Sequence, residues 1–304
     1  MSRRKRTLGL ARKEAITGYL FFSPWLIGFL VFTVGPVLFS FYVSFTEYDT
    51  FNPPRWIGLM NYKVLFFDDP RFGKSLYNTI YYVVFSVPLH IVLGVLLAVL
   101  MNQKVPGIRF FRTVFFLPSV VSGVAVALLW IWLLEPTFGL INTMLGYIGI
   151  EGPGWLTDED WSKPSLILMG LWGIGGSMII YLAGLQGISR ELYEAARVDG
   201  AGVIRQFWNI TVPLLTPTIF FNLIMGILGG FQVFLQAYVM TNSGGPNDST
   251  LFYALYLYIR AFVELKMGYA SAMAWVLLVI TLFCTLLVFR WGRTWVYYEG
   301  AEPR

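Results

Sequence analysis

Polar and apolar positions in this chain fall into long blocks and not into an alternating or helical-surface rhythm. Six runs free of Asp, Glu, Lys and Arg lie within residues 19–45, 75–103, 113–134, 164–189, 214–240 and 267–289. A helix needs roughly 20 apolar residues to cross about 30 Å of hydrocarbon, so each run predicts one membrane span. Residues 251–259 are apolar as well, but Arg260 and Glu264 follow too closely for a crossing. That segment predicts an interfacial or re-entrant helix.

Charge alternates with the crossings. With the N-terminus inside, 15 of the 22 Lys and Arg fall in inner segments and 7 in outer loops, whereas 11 of the 17 Asp and Glu fall outside. Cytoplasmic loops hold the Lys and Arg excess, which predicts cytoplasmic N- and C-termini. The basic residues Arg3, Arg4, Lys5, Arg6, Arg12 and Lys13 precede an apolar run too long for a cleavable signal. That run is expected to remain as the first span, with the basic residues drawn to anionic lipid.

Composition narrows the class. The 304 residues are 57% hydrophobic and 13% charged, against about 25% charged in an ordinary soluble domain. The predicted fold is an all-α integral membrane protein with six transmembrane helices. Cys284 is the sole cysteine, so no disulfide staples the chain. Ion-driven pumps place charged relays in the membrane, and no run contains one. The energy source is therefore expected outside this chain. His90, the one histidine, reads as a hydrogen-bonded interhelical residue. The chain has no HExxH, no paired Cys/His ligands and no GxxxxGK[ST] phosphate loop, so neither catalysis nor its own ATP hydrolysis is expected.

The loop between the fourth and fifth runs has the local signals of a helix, a turn and a second helix. Ser189 suits the cap, Glu191 and Glu194 the positive N-terminal end, and Arg197 the C-terminal end. Asp199-Gly200 is a stop, with Gly200 suited to the left-handed conformation. Leu192, Ala195 and Ala196 share one shallow face. Glu194-Ala195-Ala196, Asp199-Gly200-Ala201 and the Ile210-Thr-Val-Pro213-Leu that follows resemble the EAA motif of permease subunits of binding-protein-dependent ABC importers. Phe115-Phe-Leu-Pro118, Thr241-Asn-Ser-Gly244-Gly245-Pro246 and Tyr256-Leu-Tyr-Ile-Arg-Ala-Phe262 resemble its carbohydrate-uptake branch, the maltose, lactose and glycerol-phosphate permease type.

The resemblance implies a tail, first span and outer loop at 1–73, a permease domain at 74–291 with its coupling loop at 189–217, and a cytoplasmic tail at 292–304. It implies that Glu194, Ala195, Ala196, Asp199 and Gly200 meet a cytoplasmic ATPase, which binds the ATP and Mg while this chain holds no cofactor. The other partners implied are a second permease, an extracytoplasmic solute-binding protein and a sugar or polyol, in a prokaryotic plasma membrane. Another small solute, such as glycerol phosphate or an amino acid, stays open, and an ion-coupled carrier is the more distant alternative.

Small residues mark a possible route. Gly170, Gly173, Ser177 and Gly184 fall on one face of a continuous fourth helix, and Gly226 and Gly230 form a GxxxG pair in the fifth with Asn222, Gln232 and Gln236 nearby. Close helix packing and a lining role both fit this pattern. The resemblance puts the solute path around Trp172, Gly173, Gly176, Gly226, Gly230 and Gln232. Trp130, Trp132, Trp291 and Trp295 read as interfacial belt residues, leaving Trp172 as the deep tryptophan.

Overall fold

The structure is a computed structural model describing residues 4–297. Arg3 of the basic run and the tail past Tyr297 lie outside the described residues. Contacts divide the chain into two compact units, Met1–Leu65 with Arg260–Trp275, and Phe66–Ile259 with Val276–Arg304.

The first unit begins with α1 (Arg4–Phe29), a π-helical turn at Leu30–Val34, and α2 (Gly35–Val43). Pro36 has no N–H to give and its ring crowds the carbonyl four residues back, which a widened turn relieves. Two strands of two residues each, β1 (Thr46–Glu47) and β2 (Arg55–Trp56), pair antiparallel with Thr46 opposite Trp56. This short hairpin is a small addition to an otherwise mostly helical chain. It is followed by α3 (Met60–Lys63), whose buried Asn61 donates to the carbonyls of Ser44 and Thr46, both at 2.9 Å.

The second unit is built on α4 (Pro70–Met101), capped by Asp69, whose carboxylate accepts from the amides of Arg71 and Phe72. Next come α5 (Ile108–Phe116), a 3-10 turn at Leu117–Val120, α6 (Gly123–Leu133) and α7 (Leu140–Tyr147). They lead into α8 (Glu159–Trp172), α9 (Gly175–Gly187), α10 (Arg190–Val198) and α11 (Val203–Gln206). A π-helical turn at Phe207–Thr211 opens into α12 (Val212–Phe231), again just ahead of a proline, Pro213. The chain closes with α13 (Leu235–Met240), α14 (Tyr253–Tyr258) and α15 (Met267–Gly292). The apolar segment near residue 251 thus forms the short helix expected, with Leu251, Phe252, Tyr253, Leu255 and Tyr256 fully buried.

α4 is the central post, packed by α9 and α12. Val95, Ala98 and Met101 meet Met178, Tyr181, Leu182, Leu185 and Leu215 in one core, while Val83 and Val87 meet Ile227 and Phe231 in another. Most apolar surface faces outward instead: only 28% of the most apolar stretch of α4 is buried, and 11% of that of α15. A water-soluble monomer does not expose apolar faces of that extent. A bilayer is the solvent that accepts them.

Among the described residues, four helical stretches are long and apolar enough to cross a membrane: Arg12–Val43, Pro70–Met101, Val203–Phe231 and Met267–Gly292. The third and fourth expected spans are not straight. Ile108–Val120 meets Gly123–Leu133 at 99°, and Glu159–Trp172 meets Gly175–Gly187 at 50°. Val121 and Ser122 are extended and break the first pair, after a turn containing Pro118. The second breaks where Gly173 ends α8, and Gly175 lets the Phe115 carbonyl approach so closely that a Cβ would sit 1.9 Å from its oxygen. The fifth expected span also stops early, because Gln232, Val233 and Phe234 leave the helix between α12 and α13.

Candidate functional site

A cavity of about 630 Å³ opens between α4, α9 and α12 and the 232–236 turn. Five of the residues expected on the solute path line it: Asn222, Gly226, Gly230, Gln232 and Gln236. Gln232 and Gln236 reach it from the turn after α12 and the start of α13, not from a continuous fifth helix. Gly226 and Gly230 also touch α4, where a Cβ would lie 3.0 Å from Val87 and 2.8 Å from Val83. Packing and lining are therefore one arrangement: removing the side chain brings α12 onto α4 and leaves its neighbouring face open.

Trp172, Gly173 and Gly176, also expected on the path, do not line this cavity. The bend after Trp172 turns α8 away from the axis of α9, so residues three and four apart no longer share a face. Trp172 is 38% exposed and sits edge-on against Trp130, with ring centroids 6.3 Å apart. Trp130 is itself buried, whereas Trp132 and Trp291 are exposed. Gly176 faces Ser119, and Gly184 faces Thr218 and Leu215.

The cavity wall includes Ser177 of α9, a member of the small-residue pattern, and residues that the pattern missed: Tyr82, Ser86 and His90 from α4, and Tyr181 from α9. The signal was available, since 82, 86 and 90 recur at four and share a helical face. His90 ties α4 to α8, with Nδ1 3.0 Å from the Ser86 carbonyl oxygen and Nε2 3.0 Å from that of Gly170. Gly170 permits this approach, a Cβ there lying 3.3 Å from the His90 ring. Among the described residues that line the cavity there is no Asp, Glu, Lys or Arg.

The loop after α9 folds as its sequence indicates. The Ser189 hydroxyl accepts from the Glu191 amide at 3.2 Å, and Gly200 adopts a φ of +79°. The Gly200 amide donates to the Arg197 carbonyl at 3.0 Å and the Ala201 amide to that of Ala196 at 2.8 Å. These two bonds are the pair of a Schellman helix end. Glu194 does not sit in the first turn: it is the fifth residue of α10, and only Glu191 meets the positive end. α10 buries none of its residues, so Glu194, Ala195 and Asp199 are exposed and Ala196 is half-exposed. Val198, Val203, Ile204 and Trp208 are exposed apolar residues on the same loop.

A family model described as a binding-protein-dependent transport system inner membrane component matches residues 90–294. The chain belongs to that family. This permease is 45% identical over 294 residues to the probable ABC transporter permease protein YesP of Bacillus subtilis (strain 168), covering 96% of this chain and 95% of YesP. It is 32% identical over 285 residues to the arabinooligosaccharides transport system permease protein AraP of the same organism, covering 93% and 90%. The permease also resembles a chain in the crystal structure of a bacterial ABC transporter involved in the import of the acidic polysaccharide alginate. That likeness has a TM-score of 0.81 at 26% identity and covers 95% of this chain and 99% of that one. The exposed α10, none of whose residues is buried, is the element that carries the EAA resemblance.

Proposed function

We propose that this permease subunit crosses the bilayer six times, with each bent helix pair forming one span and both termini in the cytoplasm of a prokaryotic cell. It forms half of an ATP-driven path for a sugar or polyol. The observation that carries the reading is the uncharged cavity in a chain of this family. A polyhydroxylated solute needs donors, acceptors and an apolar face. Asn222, Gln232, Gln236 and Ser177 supply the first two, and Phe234 the third. Transport of arabinooligosaccharides by the system of AraP supports the same class of solute here. A phosphate or a free carboxylate would call for a fixed cation, and the wall offers amides and hydroxyls.

The partners are a second homologous permease, an extracytoplasmic binding protein that delivers the solute, and cytoplasmic ATPase subunits that bind ATP and Mg. This chain carries no cofactor and breaks no bond. Glu194, Ala195, Ala196, Asp199 and Gly200 form the ATPase-facing surface, and ATP-driven closure there rocks the cavity from outward to inward access.

The test is uptake into proteoliposomes holding the whole importer, with arabinotriose, an alginate trisaccharide, glycerol phosphate and an amino acid mixture as competing probes. ATP-dependent uptake of arabinotriose, weakened by Gln232→Ala with assembly intact, is the expected result. Uptake driven by an ion gradient without ATP, or selective for glycerol phosphate, would overturn it. Reporter fusions after Arg304 should be active as cytoplasmic, and at Asp158 as external. An exported reporter after Arg304 would sink the six-span topology.

A further inference from the structure

α10 stands apart from the rest of the chain, with no buried residue of its own. One side chain reaches back: the Tyr193 hydroxyl lies 3.0 Å from Thr211 Oγ1. Among the described residues this is the one side-chain hydrogen bond from α10 to another helical segment. Thr211 is 6% exposed and is the last residue of the π-helical turn Phe207–Thr211. The following residue begins α12, whose Asn222, Gly226 and Gly230 wall the cavity.

We infer that the Tyr193–Thr211 hydrogen bond is the link through which displacement of α10 moves α12, with Tyr193 and Thr211 as positioning residues. This deepens the importer reading and rests on it. Two features make the link stiff enough. Gln206, itself buried, donates through Nε2 to the Ala201 carbonyl at 2.6 Å, which locks the turn between α10 and α11. The Schellman bonds lock the end of α10, so Tyr193 moves with the whole helix. The π-helical turn is where α12 gives. Such turns carry weakened hydrogen bonding and recur at functional positions, and Pro213 withholds the N–H that would regularise this one. A lateral pull on Thr211 therefore tilts α12 at its own weak point. The far end of α10 has no comparable tether: Val198 is 88% exposed.

The test uses the assembled importer in nanodiscs and needs no solute. Cys284→Ser removes the native thiol, and Met225→Cys places a single thiol on the cavity side of α12. The maleimide labelling rate is measured with and without ATP and vanadate, which trap the ATPase closed. In the Tyr193→Phe and Thr211→Val backgrounds the change in rate should shrink by about five- to tenfold, the scale of one lost hydrogen bond. The double variant should be no worse than either single one, and Thr211→Ser, which keeps the hydroxyl, should restore the response. ATPase co-purification should be unchanged throughout, which separates a lost link from a misfolded loop. An undiminished change in Tyr193→Phe and Thr211→Val overturns the proposal. So does an unresponsive thiol in the parent complex that retains its ATPase. Failure of the parent to retain an ATPase at all would strike instead at the importer reading beneath it.

Discussion

Substitution at Gly200 isolates backbone conformation from packing. A Cβ at this position would meet no atom within 4 Å, so a larger side chain has room. What resists it is φ, held at +79° by the two bonds that end α10. A left-handed residue with a Cβ costs roughly 1–2 kcal/mol, with β-branched residues at the upper end. That energy corresponds to about a 5- to 30-fold shift toward a frayed helix end. Asparagine tolerates the same conformation and should lose much less. The expected order in ATP-driven transport and in ATPase retention is therefore Gly, then Asn, then Ala, then Val, with membrane insertion equal in all four. Hydrogen exchange at the Gly200-position and Ala201 amides should rise in the same order. Transport by the Val variant equal to that of the parent would refute the argument. Asn as damaging as Val would refute it differently, by showing that bulk on a docking face matters and φ does not.

The remaining expectations follow from named contacts. Gly175→Ala should be severely destabilising, because the Cβ collides with backbone and not with a flexible side-chain end; thermal unfolding in detergent checks it, and a melting point within a degree of the parent refutes it. Glu191→Lys should fray α10 by about 0.3–1 kcal/mol while Glu194→Lys leaves it intact, since the helix-dipole effect fades beyond the first turn; amide exchange along α10 distinguishes them. The Glu135 carboxylate accepts from the amides of Phe138 and Thr137 and from the Thr137 hydroxyl, and these bonds hold its pKa below the ordinary value. Its contribution is thus complete above the ordinary carboxylate pKa of about 4.3 and is lost as pH falls through the lowered one, so Thr137 and Phe138 amide protection should hold at pH 5 and fall on stronger acidification. Loss of that protection already at pH 6 would contradict the assignment.

The long apolar helices were legible because charge is excluded from hydrocarbon whatever the tertiary structure. The ends of α10 were legible for a related reason: Ser189 and Gly200 act within one turn of chain. The breaks were not. Pro24, Pro88, Pro164 and Pro217 lie inside continuous helices, whereas Pro118 lies in the turn before a break. Composition alone does not separate these cases, since neighbouring helices re-satisfy freed backbone groups in membranes. At Gly175 the deciding partner is the Phe115 carbonyl, 60 residues away in sequence. The bend beside Trp172 was hidden for the same reason, since the sequence reads equally well as a straight helix through Gly173. The α4 contribution of Tyr82, Ser86 and His90 was readable from spacing, but small residues drew attention to the partner helices first.

The arrangement of α12 gives these observations a common physical sense. Thr211 and Asn222 are 11 residues apart, or about 16 Å along a helix. The Thr211 anchor and the cavity wall therefore belong to one nearly rigid lever. Its contact with α4 includes Gly226 and Gly230 against Val87 and Val83, a smooth stretch beside the larger Ile227 and Phe231. Such an interface resists separation through close packing while permitting small sliding, as shear movements between packed helices do. A bulky residue at Gly226 would replace that smooth contact with an interlocked one and fill the cavity at the same time. The glycines thus set two properties together, the volume of the cavity and the freedom of the lever. For that reason Gly226→Leu should abolish transport even if the solute never touches position 226. Gly226→Ala separates the two roles: its Cβ meets Val87 at 3.0 Å, so it should slow the movement of α12 while removing little cavity volume. Maleimide labelling of the α12 thiol in that variant should become slower to respond to trapped ATPase with the end points unchanged. Altered end points with an unaltered rate would mean that the glycine serves the cavity alone.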